Sequence, residues 1–245
     1  NNNSFVDYNE FIFLDLDLFN LGNANAQNLS LVLSTNDQYL SIIDSVDNVS
    51  VINSNQTITS NNAFSFQVAA YVPDQHISVC LLTISDNLGN VWTSNINIIL
   101  NAPVFNHLNY IIDDFSLGNS NGKLDAGETL DILVDVSNVG HADAFNINCL
   151  LSSLSTYVTV NSSTISFSSL NINQVHSVAF NITINQNTPV GTNVIFPIDI
   201  TDQVYSYQAN FSENIGTIDE DYETGDFSQF SWVQGVFPWV VDNLE

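Results

Sequence analysis

Basic side chains are all but absent. A single lysine, Lys123, stands against 26 acidic residues, there is no arginine, and the formal net charge is −25. A surface this negative repels phosphate backbones and anionic lipid, which excludes nucleic acid and polybasic membrane docking. No window approaches the about 18 apolar residues of a spanning helix, and no charged n-region precedes an apolar segment, so neither membrane insertion nor a signal segment is expected. Methionine is missing and the chain begins Asn1-Asn2-Asn3, which reads as a piece of a longer protein. The two cysteines, Cys80 and Cys149, lie in the apolar runs Val79-Cys80-Leu81-Leu82 and Asn148-Cys149-Leu150-Leu151. A thiol there behaves as a small buried hydrophobe, with neither a disulfide nor a catalytic role expected. The four histidines, His76, His107, His141 and His176, have no metal-ligand spacing and are expected on loops or the surface. Nucleophile elbows, phosphate-binding glycine loops and Cys/His pairings are also missing. No residue is assigned to catalysis and no organic cofactor is implied.

What is present is apolar material in short alternating pieces. With 44% hydrophobic residues, including 16 Phe, in 245 positions, two domains of ordinary size can each bury a core. Solubility falls to Asn, Ser and Thr. Asn alone is about one residue in seven, well above ordinary usage, a profile that suits a secreted or surface-exposed β protein. Residues from Leu14 to Phe19 alternate with period two, placing Asp15 and Asp17 on a solvated face opposite Leu14, Leu16 and Leu18. Asp86-Asn87-Leu88-Gly89 reads as a hairpin turn between Val79–Ser85 and Val91–Leu100.

The chain is duplicated. Asn20-Leu-Gly-Asn-Ala-Asn-Ala-Gln-Asn28 returns 118 residues later as Asn138-Val-Gly-His-Ala-Asp-Ala-Phe-Asn146, and Tyr39-Leu-Ser-Ile as Tyr157-Val-Thr-Val. After a two-residue deletion, Ala63-Phe-Ser-Phe matches Ala179-Phe-Asn-Ile and Ile84-Ser-Asp86 matches Ile200-Thr-Asp202. Each copy has several short strands between Asn/Asp/Gly/Ser clusters and no helical period, the signature of a β-sandwich. The expected fold is all-β, with two tandem immunoglobulin-like β-sandwiches at residues 1–103 and 104–217. Asn101-Ala-Pro-Val104 links them, and residues 218–245 open a further β domain or form a docked tail.

One loop concentrates oxygen. Asp113-Asp-Phe-Ser-Leu-Gly-Asn-Ser-Asn-Gly-Lys-Leu-Asp-Ala-Gly-Glu128 precedes an alternating strand. Ca2+ takes six to eight oxygens, and a twelve-residue loop can supply them up to a terminal bidentate Glu. With Glu128 last, Asn119, Asn121, the Lys123 carbonyl and Asp125 fall at alternate ligand positions, and Gly122 at the sharp turn. Leu117 occupies the first ligand position, so Asp113 or Asp114 must supply the missing carboxylate. A polar turn that binds no metal stands as the alternative. The offset of 118 places Asn3, Asp7 and Glu10 on Asn121, Asp125 and Glu128, with Ser4 and Asn9 replacing the glycines, so the first copy is the poorer candidate. The loop also contains the chain's one trypsin-sensitive position, at Lys123.

The run Asn119-Ser-Asn-Gly-Lys-Leu-Asp-Ala-Gly-Glu-Thr129, followed by a strand and Asn138-Val-Gly-His-Ala, resembles immunoglobulin-like domains of Bacteroidetes surface proteins exported by type IX secretion. Those domains accompany gingipain-like cysteine peptidases, and the likeness covers residues 7–216. It implies fold and cell-surface setting; the peptidase's catalytic His and Cys have no counterpart. The segment after Thr217, acidic and then aromatic, resembles the start of a jelly-roll adhesin or anchor-associated domain, which implies Asp221 and Glu223 as further calcium ligands. Trp232 and Trp239 there are either core of that domain or a sugar-stacking platform.

The expectation is a non-catalytic spacer or adhesion module of a secreted, cell-surface multidomain bacterial protein, rigidified by Ca2+ and monomeric. Its partners are neighbouring domains of the same polypeptide, with a surface glycan or a protein as further ligand. The alternatives are a carbohydrate- or protein-binding module, or an accessory domain of a gingipain-like peptidase.

Overall fold

A computed structural model describes residues 3–216; the segment 218–245, with Asp221, Glu223, Trp232 and Trp239, lies outside the described residues. Strands β1 (Val6–Asp7), β2 (Phe11–Phe19), β3 (Ala26–Thr35), β4 (Leu40–Asp44), β5 (Val46–Ile52), β6 (Thr57–Val68), β7 (His76–Ser85) and β8 (Val91–Asn101) come first. They form two sheets, β1-β8-β7-β3-β5 and β2-β6-β4. Next come β9 (Phe105–Asp113), β10 (Thr129–Asn138), β11 (Ala144–Leu151), β12 (Val158–Val160), β13 (Thr164–Leu170), β14 (Val175–Ile184), β15 (Thr192–Thr201) and β16 (Ser206–Ile215). They form the sheets β12-β14-β10-β9 and β13-β11-β15-β16. The fold is all-β, built as sandwiches, with no helix among the described residues.

Period-two alternation explains the layering. On β10, Leu130, Ile132, Val134 and Val136 are wholly buried while Asp131 and Asp135 lie on the opposite face. Phe64 and Phe66 fill the first sandwich, Phe180 and Phe196 the second, each worth about 2–3 kcal/mol of apolar burial. Cys80 and Cys149 face the same interiors, and burial pushes the Cys149 thiol up to about 12.

The duplication extends to individual contacts. The parallel pairing of Val6 with Leu100 returns as the bridge of Leu124 to Ile215. Asn20 and Asn138 make the same bonds: Nδ2 donates to Ala24 O and Ile52 O in one copy, and to Ala142 O and Leu170 O in the other. Their Oδ1 atoms accept the N–H of Gly22 and of Gly140.

On the solvated face of β2, Asp15 stands at a bulge, its carboxylate taking the Asn62 N–H at 2.7 Å, and Asp17 accepts the Thr59 hydroxyl. The histidines are at the surface, as expected: His141 lies in a loop, and His76, His107 and His176 sit half-exposed on β7, β9 and β14. Each of these three packs its ring against an aromatic neighbour, namely Tyr39, Tyr207 and Phe167. A half-exposed strand position accepts an amphipathic ring as readily as a loop does. His76 Nε2 also lies 2.7 Å from Asp37 Oδ2. Burial pushes the Asp37 carboxyl up, but the Tyr39 N–H and the His76 ring outweigh it and hold the group below its usual range.

Candidate functional site

The acidic loop runs from the end of β9 to the start of β10, and two of its carboxylates are buried: Asp114 is 4% exposed and Glu128 8%. A buried charge must be paired or hydrogen-bonded, and backbone amides meet this need. Asp114 Oδ2 accepts the N–H groups of Asn121 (2.7 Å) and Gly122 (3.0 Å). Glu128 Oε1 accepts Asn119 N–H (2.8 Å) and its Oε2 accepts Asp125 N–H (3.1 Å). Asp125 Oδ2 takes the side-chain amides of both Asn119 and Asn121 at 2.7 Å. The Asn119 and Asn121 oxygens bond to backbone N–H of Asn121 and Lys123. Asp113 sits apart from this network, accepting Phe115 N–H at 3.3 Å from the end of β9.

The loop therefore brings together Asp114, Asn119, Asn121, Lys123, Asp125 and Glu128. In kind, its carboxylate and carboxamide oxygens suit a hard cation. In arrangement, N–H donors meet Asp114 Oδ2, Asp125 Oδ2, both Glu128 oxygens and the Oδ1 atoms of Asn119 and Asn121. Among the described residues, no three His, Cys, Asp or Glu side chains form a group that could hold a metal. Gly118 is fixed by the same closure, since a Cβ there would lie 2.2 Å from Glu128 Oε1. The first repeat keeps part of the network. Asn3 Nδ2 donates to Asp7 Oδ2 at 2.8 Å, Phe5 N to Asn3 Oδ1 at 2.9 Å, and Asp7 N to Glu10 Oε2 at 3.1 Å. Ser4 and Asn9 adopt there the positive φ that Gly122 and Gly127 adopt in the second copy.

A second constellation, invisible in the sequence, lies where β8 hands the chain to β9. Tyr205, between β15 and β16, inserts its hydroxyl against Val72 of the first sandwich, accepting the N–H at 3.0 Å and donating to the carbonyl at 3.1 Å. Its ring meets Tyr8 edge-on at 5.2 Å and stacks on Tyr71 at 5.3 Å. Asp74 gathers three N–H groups: Ala102 N (3.0 Å) and His141 N (3.2 Å) on Oδ1, and His141 Nδ1 (2.7 Å) on Oδ2. Ala102 O receives the N–H of His141 and Ala142 in return. Gly140 packs so tightly on this connection that a Cβ would come within 2.4 Å of both Ala102 O and Val104 N. In the link Ala102-Pro103-Val104, Ala102 and Pro103 are buried and Val104 is exposed. Burial, reinforced by nearby Asp202, pushes the phenols of Tyr8 and Tyr205 up to about 12. The Asn-x-Gly motifs were a sequence signal for the Gly140 contact; nothing marked Tyr205 or Asp74.

No protein-family profile and no curated protein matches the chain. Among solved structures, a protein of unknown function from Porphyromonas gingivalis W83 aligns with 86% of this chain and 94% of its own, at 11% identity and TM-score 0.27. An E. coli alpha-2-macroglobulin in its native conformation aligns at 9% identity and TM-score 0.35, over 86% of this chain but 16% of its own. A red sea bream transglutaminase aligns at 10% identity and TM-score 0.34, over 87% of this chain and 30% of its own.

Proposed function

We propose that this chain is a non-catalytic spacer: two sandwiches in series, locked at their junction, that hold neighbouring domains of a secreted or cell-surface protein at a fixed distance. The observation that carries the reading is the Tyr205–Val72 and Asp74–His141 clasp. It fastens the second sandwich to the first on either side of a three-residue link. A flexible tether would use an exposed, polar, Gly- or Ser-rich connector; this one is buried at Ala102 and Pro103 and hydrogen-bonded at Ala102 and Val104. The resemblance to domains of type IX-secreted proteins gives the reading its bacterial cell-surface setting.

Calcium belongs to the same proposal. Asp114, Asp125 and Glu128 would supply the charge, Asn119, Asn121 and the Lys123 carbonyl the neutral oxygens, with Asp113 adjoining. An ion bound only by the folded form stabilises it by mass action.

Small-angle scattering of the whole chain tests the spacer. Wild type is expected to give one extended rigid particle, and the double substitution Tyr205→Ala, Asp74→Ala a broader distribution of shapes. Scattering of the wild type as two independently tumbling units would overturn the proposal. Calcium titration of the melting temperature tests the ion separately.

A further inference from the structure

The outward face of strands β8-β7-β3-β5 carries no charged side chain between the strand ends, in a molecule whose net charge is −25. Its apolar positions are Ile77, Val79, Leu81, Ile99, Val32 and Val46, each 38–55% exposed. They adjoin across the strands: Ile77 faces Ile99, Val32 faces Val46, and Leu81 lies between Asn95 and Ser34. The intervening outward positions are Asn, Ser and Thr. Asp47 on β5 turns the other way, to the Ser60 hydroxyl.

The duplication supplies an internal comparison. At the equivalent face of the second sandwich the facing pair Ile77–Ile99 is Asn193–Asn214. Leu81 is replaced there by Pro197, Thr83 by Asp199 and Val46 by Thr164. One fold thus accepts polar residues in place of Ile77, Ile99 and Val46, while Val79 and Val32 keep aliphatic counterparts in Ile195 and Leu150, so stability does not demand an apolar exterior at the first three. Scattered exposed aliphatics need no explanation, but a contiguous patch of several hundred Å2 marks an interaction site.

We infer that this face is where two copies of the chain meet, side against side. Electrostatics select the occupant. A basic partner would be drawn to the acidic surfaces and gain nothing here, whereas a second copy, itself acidic, can approach closely only where neither side presents a carboxylate. A two-fold axis brings the same patch to both partners. Four strands at about 4.8 Å spacing and about 30 Å of strand length give a footprint on the order of 500 Å2. That is below the about 800 Å2 per partner of a standard stable interface, so the pairing is weak and concentration-dependent. The sequence expectation of a monomer then applies to dilute solution. This inference stands apart from the spacer proposal and from calcium.

Sedimentation velocity of the full chain, over a concentration series reaching the millimolar range, tests it at two salt levels. Between about 0.1 and 1 M salt the screening length falls from about 10 to 3 Å, which relieves repulsion between the acidic copies. Association is therefore expected to strengthen with salt. The double substitution Ile77→Asn, Ile99→Asn installs the pair that the second sandwich already carries, so the fold is expected to survive. It should weaken association by at least about tenfold, as should Val79→Asp, while Ile195→Asp, at the matching site of the second sandwich, should leave it unchanged. A sedimenting mass that stays at the 27.0 kDa of one chain under every condition would overturn the inference. So would association weakened by salt, association indifferent to the asparagine pair, or retention on cellulose without self-association, which would assign the face to a neutral glycan.

Discussion

The Tyr205 hydroxyl pairs with both the N–H and the C=O of Val72, 133 residues away, at 3.0 and 3.1 Å. One side-chain oxygen thereby satisfies both backbone groups of a wholly buried residue, groups that the interior would otherwise leave without water.

Tyr205→Phe keeps the ring and removes that pairing. The substitution is expected to cost about 1–3 kcal/mol, the penalty for stranding buried backbone polar groups. Urea unfolding followed by tryptophan fluorescence measures it, and a loss near zero would mean that water replaces the hydroxyl.

Alkaline pH should loosen the same junction. Tyr8 and Tyr205 sit at about 12 in the folded protein against 10.0 ordinarily. Because the folded values are raised, their contribution is complete below about pH 10 and is lost as pH climbs through about 12. The Cys149 thiol, raised from 9.0 to about 12, adds a decline that starts from about pH 9. Stability measured from pH 8 upward should be level at first and then fall, and Tyr205→Phe should flatten part of the fall.

Gly140→Ala tests the tight approach of the two sandwiches. The added methyl meets backbone atoms of Ala102 and Val104 at 2.4 Å, and neither can swing aside as a side chain would. A loss of about 1–3 kcal/mol is expected. The equivalent change at Gly22, whose nearest obstacle is the Asn20 side chain at 3.1 Å, should cost much less in thermal melts.

Asn138→Ala should be more damaging than Asn20→Ala although both make the same turn. Asn138 is wholly buried and also accepts the Val104 N–H at 3.1 Å, so each partner that it abandons loses a bond without gaining water. A difference of at least about 1 kcal/mol is expected between the two variants.

Trypsin probes the acidic loop, because Lys123 is its one site in the chain. The N–H of Lys123 is tied to Asn121 Oδ1 at 2.8 Å, and the loop should resist cutting. Glu128→Gln weakens the charge-assisted bonds from Asn119 and Asp125 and should yield two fragments sooner. Protection that rises with added calcium in the wild type, but not in Glu128→Gln, would place the ion in this loop.

Layering and duplication were readable in the chain because both rest on local pattern. Alternation along β10 decides which side chains are buried, and the recurrence of Asn20-x-Gly22 as Asn138-x-Gly140 encodes a turn closed by its own Asn. The acidic loop was half readable. Its residues converge as their spacing indicates, but composition cannot say whether a carboxylate meets a cation or an amide, and here amide N–H groups surround Asp114 and Glu128. The clasp was not readable. Tyr205 and Val72 are an ordinary tyrosine and valine whose relation exists only where the two sandwiches meet, and no periodicity carries that information. The histidines were readable as surface residues, but the aromatic rings beside His76, His107 and His176 were not.

The short link between β8 and β9 has a mechanical consequence. Ala102, Pro103 and Val104 can extend by about 10 Å at most, so the connection holds almost no slack. In the spacer proposed above, tension along the chain would fall first on the Tyr205 anchor and the Asp74 knot. Once they part, little extra length is released, and the pieces hang from a tether too short to let them draw far apart.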